Sequence, residues 1–169
     1  NAAHKALCAD AIAHTVISTR ATAVYGPGGL GKSTLAAALA HDCTVRRMFP
    51  DGVIWLEVGQ KPIPTQLQAQ IGATVFNDSR DRYQTEQDGR LALAQILRDK
   101  HALIVLDDVW DHGVVSWFPI EETANRLLIT TRSGGLARRI QGEDIQLEIL
   151  SPVEGAALIA GRAGGDAHN

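Results

Sequence analysis

Apolar and polar positions alternate along this 169-residue chain in blocks that predict strands and helices by turns. Leu7, Ile12, Val16 and Ile17, set among alanines, mark a helix over about 7–17. Ala21 to Tyr25 is a short apolar run, stopped by Gly26-Pro27-Gly28-Gly29, and a helix is expected from about Gly31 to Asp42. Val53 to Val58 reads as a second strand between Asp51-Gly52 and Gly59. Pro62 and Pro64 open a loop, and Thr65 is placed as the N-cap of a helix to about Ile71. The polar stretch Asn77 to Arg82 reads as surface loop, and Thr85 precedes a long helix to about Arg98.

Ala102 to Leu106 and Leu127 to Thr130 are continuous apolar runs, the pattern of strands covered on both faces of a parallel sheet. Ser133 to Ile140 reads as a short helix. Ile145 to Ile149 alternates, as an edge or half-covered strand does. Ser151-Pro152-Val153-Glu154 then carries a helix-start signature, Ser at the cap and Pro at the first helical position, for a helix to about Gly161. Five strands alternating with helices imply a three-layer α/β domain with a mostly parallel sheet.

Composition narrows the function classes. Hydrophobic residues at 45% and charged residues at 21% suit one globular domain and exclude a mostly disordered chain. A formal charge of −3 gives no bulk attraction to nucleic acid or anionic membrane. Apolar runs such as Leu35 to Ala40 are too short to span a bilayer. Cys8 and Cys43 make neither a disulfide framework nor a metal spacing and read as reduced, partly buried thiols, as in a cytoplasmic protein. The six histidines show no ligand spacing, and the pairs Arg46-Arg47 and Arg138-Arg139 read as solvated faces or partner contacts. The chain opens on Asn1-Ala2-Ala3-His4 and closes on Gly164-Gly165-Asp166-Ala167-His168-Asn169, so it reads as a piece of a longer polypeptide.

The chemistry concentrates in three places. Gly26-Pro27-Gly28-Gly29-Leu30-Gly31-Lys32-Ser33-Thr34 fits G-x-x-x-x-G-K-[ST], between a strand and a helix as that motif requires. Glycines let backbone N–H groups converge on phosphate oxygens, and the helix N-terminus adds partial positive charge. Lys32 can reach β- and γ-phosphates, Ser33 offers a hydroxyl to Mg²⁺, and Thr34 supports the α-phosphate. Leu103-Ile104-Val105-Leu106-Asp107-Asp108 places two carboxylates at the carboxyl end of a buried strand, where ligands of open α/β sheets bind. Asp107 can hold Mg²⁺, and Asp108 can orient or deprotonate a water. Leu127-Leu128-Ile129-Thr130-Thr131-Arg132 delivers a guanidinium to the same edge, where it can sense a γ-phosphate or stabilise developing charge. Trp55, Trp110 and Trp117 read as packing residues rather than base-stacking ones, with Trp110, three residues after Asp107, the exception to watch.

The strings GPGGLGKSTLA (Gly26 to Ala36), LIVLDDVW (Leu103 to Trp110), RLLITTR (Arg126 to Arg132) and EILSPVEGA (Glu148 to Ala156) together resemble the NB-ARC domain of the STAND class of P-loop signalling ATPases. The resemblance covers about Ala21 to Arg162. It implies a P-loop NTPase fold, with a five-stranded sheet of order 5-1-4-3-2 and helices on both faces. It also implies a nucleotide-binding domain over 1–163, led by a flanking helix within about 5–18 and followed by a tail at 164–169. It places Gly26, Gly28, Gly29, Leu30, Gly31, Lys32, Ser33 and Thr34 on ATP or ADP, Ser33 and Asp107 on Mg²⁺, Asp108 in the catalytic-acid position and Arg132 as the sensor arginine. It implies an ADP-bound resting state, an ATP-bound active state and self-assembly, with effector and sensor domains outside this chain. The short apolar runs and the acidic balance, independently of the resemblance, lead to an expectation of no membrane and no direct nucleic-acid contact. The adenine-contacting stretch of the family is not present upstream of Leu7, and the chain ends before the G-x-P and winged-helix parts that close over the nucleotide. Weak affinity and little ATP turnover are therefore expected of the chain alone. A small-molecule kinase on the same core, or a nucleotide-dependent scaffold or transcriptional regulator without useful hydrolysis, remain alternatives. Twelve arginines against four lysines, with many alanines, suggest a GC-rich bacterial source.

Overall fold

The computed structural model describes residues 12–121 and 123–148. Residues 12–18 are helical (α1). There follow β1 (Ala21–Tyr25), α2 (Lys32–His41), α3 (Cys43–Met48), β2 (Val53–Glu57), α4 (Pro64–Ala69), α5 (Glu86–Leu97), β3 (Leu103–Val109), β4 (Arg126–Thr131), α6 (Gly134–Ala137) and β5 (Glu143–Gln146). The strands form one sheet in the order β2-β3-β4-β1-β5, every neighbouring pair parallel. This is the expected order 5-1-4-3-2 read from the other edge.

The continuous apolar runs are explained by cover on both faces. Ile104 and Leu106 of β3, with Leu127 and Ile129 of β4, pack against Leu67 of α4 and Ala92, Leu93 and Leu97 of α5. Leu103, Val105 and Leu128 face the other way, onto Val16 of α1, Ala36 and Leu39 of α2, and Val45 and Phe49 at α3. Each fully buried leucine or isoleucine in these layers contributes roughly 1.5–3 kcal/mol. Asn125 pins the lower edge: it is fully buried, accepts from Ala102 N at 2.9 Å and donates to Leu97 O at 2.7 Å.

Several boundaries differ from expectation. Pro64, not a Thr65 cap, opens α4, because its locked φ and missing N–H suit the first helical position. The chain then widens into a π-helical turn, Gln70–Val75. The polar stretch expected as loop turns into a 3₁₀ helix at Arg80–Tyr83, tied down where Tyr83 Oη and Arg82 both donate to Asp78. Asp42 ends α2 and begins α3, its carboxylate accepting from Thr44 N at 2.8 Å and Val45 N at 3.0 Å. The helix after Ser133 lasts four residues, since Gly134 and Gly135 add backbone entropy and no side-chain packing. Pairing of Thr22 with Glu143 starts β5 two residues before its alternating pattern. Cys43 is exposed rather than partly buried. Cys8, the first part of the flanking helix, the helix expected after Ser151 and the 164–169 tail lie outside the described residues. Among those described, no helix is long and apolar enough to cross a membrane.

Candidate functional site

The site lies where β1, β3 and β4 end on one edge of the sheet. β1 stops at Tyr25, and the loop 26–31 turns the chain back into α2. Gly26 is the tight point: a Cβ there would lie 2.7 Å from Leu147 O, in the strand extension whose N–H donates to Tyr25 O at 2.8 Å. Gly31 caps α2 at φ 82, a left-handed conformation that other residues rarely adopt. No acidic residue stands in the first turn of α2, so the partial positive charge of its free N–H groups is unopposed there.

Lys32 is only 8% exposed, and its ammonium donates to Gly26 O at 2.9 Å and Pro27 O at 2.8 Å. Burial lowers its pKa from the ordinary 10.5. The nearby Arg132 charge lowers it further, against weaker opposing effects from Asp108 and Asp107. The cation is thus held on the loop backbone in a place that favours added negative charge.

Asp107 is the junction between loop and sheet. Its Oδ1 accepts from Ser33 Oγ at 2.8 Å and from Thr130 Oγ1 at 2.5 Å. Thr130 in turn accepts from Asp108 N at 2.9 Å. The β3–β4 register shifts between Leu106 and Val109, and Asp108 has φ 55. This bulge turns both carboxylates toward the loop. Asp108 then meets two partners. Arg132 Nε lies 3.4 Å from its Oδ1, and Trp110 Nε1 donates to its Oδ2 at 3.0 Å. The Arg132 guanidinium also sits 5.2 Å above the Trp110 ring, and a Cβ at Gly28 would lie 3.5 Å from Arg132 Nη1.

The fold therefore brings Lys32, Ser33, Asp107, Asp108 and Arg132 to one place. Thr34 is exposed on the first turn of α2, Gly28 and Gly29 are exposed on the loop, and Leu30 is half-buried under it. Thr130 and Trp110 were the residues whose roles the sequence did not assign. The signal for Thr130 was a hydroxyl on a buried strand beside the acidic one.

Ser33 Oγ and Asp107 Oδ1 are hard oxygen donors 2.8 Å apart. Oxygen donors of this kind suit a hard cation, so this pair would be able to hold Mg²⁺. Among the described residues no group of three or more His, Cys, Asp or Glu could hold a metal. A cation here would take its other ligands from phosphate and water.

Comparison with known proteins identifies the family. The family model for the NB-ARC domain matches residues 9–166. Disease resistance RPP13-like protein 4 of Arabidopsis thaliana is 34% identical over 140 residues, covering 77% of this chain and 16% of that protein. Apoptotic protease-activating factor 1 of Danio rerio is 33% identical over 141 residues, covering 78% and 11%. The chain thus spans less than a fifth of the length of these relatives. Among solved structures, a chain of Drosophila ORC bound to DNA superposes with TM-score 0.59 over 96% of this chain and 45% of that one. At 14% identity, that likeness speaks for the fold alone.

Proposed function

This chain belongs to the NB-ARC family, and we propose that it is the ATP- and ADP-binding switch domain of a larger signalling ATPase. The observation that carries this reading is the bond between Ser33 and Asp107, which ties the glycine loop to the acidic strand. Lys32 supplies the cation for the β- and γ-phosphates, aided by backbone N–H groups of Gly26, Gly28, Gly29, Leu30 and Gly31 and by Thr34. Ser33 and Asp107 would hold Mg²⁺, which when bound would neutralise phosphate charge. Asp108 orients the attacking water, and Arg132 answers the γ-phosphate. ADP marks the resting form and ATP the active one. Assembly, effector output and sensing belong to the whole cytoplasmic protein, of which residues 1–163 form the nucleotide-binding domain.

Calorimetric titration with ADP and ATP, each with Mg²⁺, tests this reading. Lys32→Ala should weaken binding by more than about a hundredfold, as expected when one partner of a buried charge contact is removed. Unchanged affinity in that variant would refute the site. In the full-length protein, Asp108→Ala should keep binding and slow hydrolysis by roughly 10²–10⁴, the range of general base catalysis.

A further inference from the structure

We infer that Trp110 is a positioning residue for this site, holding the Asp108 carboxylate by its indole N–H and seating the Arg132 guanidinium on its ring. The inference rests on the roles proposed above for Asp108 and Arg132. Trp110 is 43% exposed, unlike the partly buried Trp55 and Trp117, which pack against the two cores. An exposed indole with no partner would be an ordinary surface apolar group. This one is engaged through two chemistries at once. Its N–H donates to Asp108 Oδ2 at 3.0 Å, and its ring lies 5.2 Å from Arg132 Cζ.

Among the described residues, the side chains of Asp108 and Arg132 otherwise meet chiefly each other. Asp108 stands on a bulge with φ 55, and its backbone N–H is tied to Thr130 while its carboxylate reaches out. The Arg132 side chain is 54% exposed and meets Asp108 only at 3.4 Å. An arginine so exposed loses much rotamer freedom when held. A flat ring beneath the guanidinium limits its sweep and keeps it facing Gly28. Trp110 thus couples the two: moving the indole releases a carboxylate oxygen and the seat of the arginine together.

Two substitutions separate these contributions in the full-length protein. Trp110→Phe keeps a ring face and removes the N–H. Trp110→Leu removes both. With Trp110→Phe, kcat should fall roughly tenfold at unchanged KM for ATP, the value of one charge-assisted hydrogen bond at the barrier. The same change on an Asp108→Ala background should add nothing, because the indole acts through that carboxylate. Trp110→Leu should also lower the ratio of ATP to ADP affinity two- to fivefold, and that loss should vanish on an Arg132→Ala background. The affinity ratio is read by titration and needs no turnover. If Trp110→Leu keeps both the wild-type kcat and affinity ratio, or if its effects add fully to those of Asp108→Ala and Arg132→Ala, the inference falls while the nucleotide site stands. If the wild-type protein binds neither nucleotide, the proposed function falls and the inference with it.

Discussion

Thr130 offers the sharpest test of the link between fold and site. Thr130 is 1% exposed and ties the Asp107 carboxylate to the Asp108 backbone, donating to Asp107 Oδ1 and accepting from Asp108 N. Thr130→Val keeps nearly the same shape and deletes the hydroxyl, so the energy change is almost wholly that of the hydrogen bonds. A hydrogen bond to a charged acceptor contributes about 1.5–3 kcal/mol. The Asp108 N–H loses its acceptor, which costs about 1 kcal/mol where water can partly replace it. Burying a methyl in place of the hydroxyl returns about 1 kcal/mol. The net is about 2 kcal/mol, or roughly 4–8 °C in Tm for a chain of this size. Scanning calorimetry measures it. The same variant leaves Asp107 with one donor fewer, so the Mg²⁺ concentration needed for half-maximal nucleotide binding should rise several-fold. Thr130→Ser is the control: it keeps the hydroxyl, should keep the Mg²⁺ response, and should lose only about 1 kcal/mol for the missing methyl. If the valine variant melts with the wild type and keeps its Mg²⁺ response while the serine variant is the weaker, the hydroxyl carries nothing and the reasoning is wrong.

Two further expectations concern the helical layer over β3 and β2. A Cβ at Gly89 would lie 2.2 Å from Gln68 Oε1, and Gln68 is fully buried with its amide donating to Glu86 O and Trp117 O. Gly89→Ala should therefore destabilise by about 2–3 kcal/mol despite its better helix propensity, and a higher urea midpoint would contradict this packing. Burial pushes the Asp78 carboxyl up, but hydrogen bonds from Tyr83 and Arg82 outweigh it and hold the pKa below the ordinary 3.8. A carboxyl depressed in the folded state adds stability above its unfolded pKa and loses it as pH falls through the folded one. Asp78→Asn should flatten the acid limb of the stability curve below about pH 4, and an identical limb in both proteins would remove Asp78 from the balance.

The parts of the fold legible in the sequence are those where one physical cause dominates. Ala102 to Leu106 read as a strand because cover on both faces leaves no polar position to confuse the pattern. The loop 26–34 read as a phosphate site because glycines, a lysine and a helix start coincide. The misplacements fall where two causes compete. At Thr65 a good capping residue follows a proline, and the proline's fixed φ prevails. At β5 backbone pairing with β1 starts the strand on Glu143 and Asp144, exposed charges that suit an edge but hide the alternation. Gln68 gave no signal at all, because its burial depends on Glu86 and Trp117, which are 18 and 49 residues away.

The least legible feature is also the one on which the site turns. Successive side chains of a regular strand point to opposite faces, so Asp107 and Asp108 could not both serve one edge of the sheet. The extra residue that shifts β3 against β4 between Leu106 and Val109 breaks that alternation, and Asp108 takes φ 55 to complete the turn. No glycine announces the bulge. A non-glycine residue there carries strain of about 1–3 kcal/mol, which its neighbours must offset. The neighbours are those the site needs for other reasons: Thr130 beneath the Asp108 N–H, and Trp110 and Arg132 on its two carboxylate oxygens. The contacts that stabilise the strained backbone are therefore the contacts that aim the carboxylate, so replacing any one of them should loosen fold and function together.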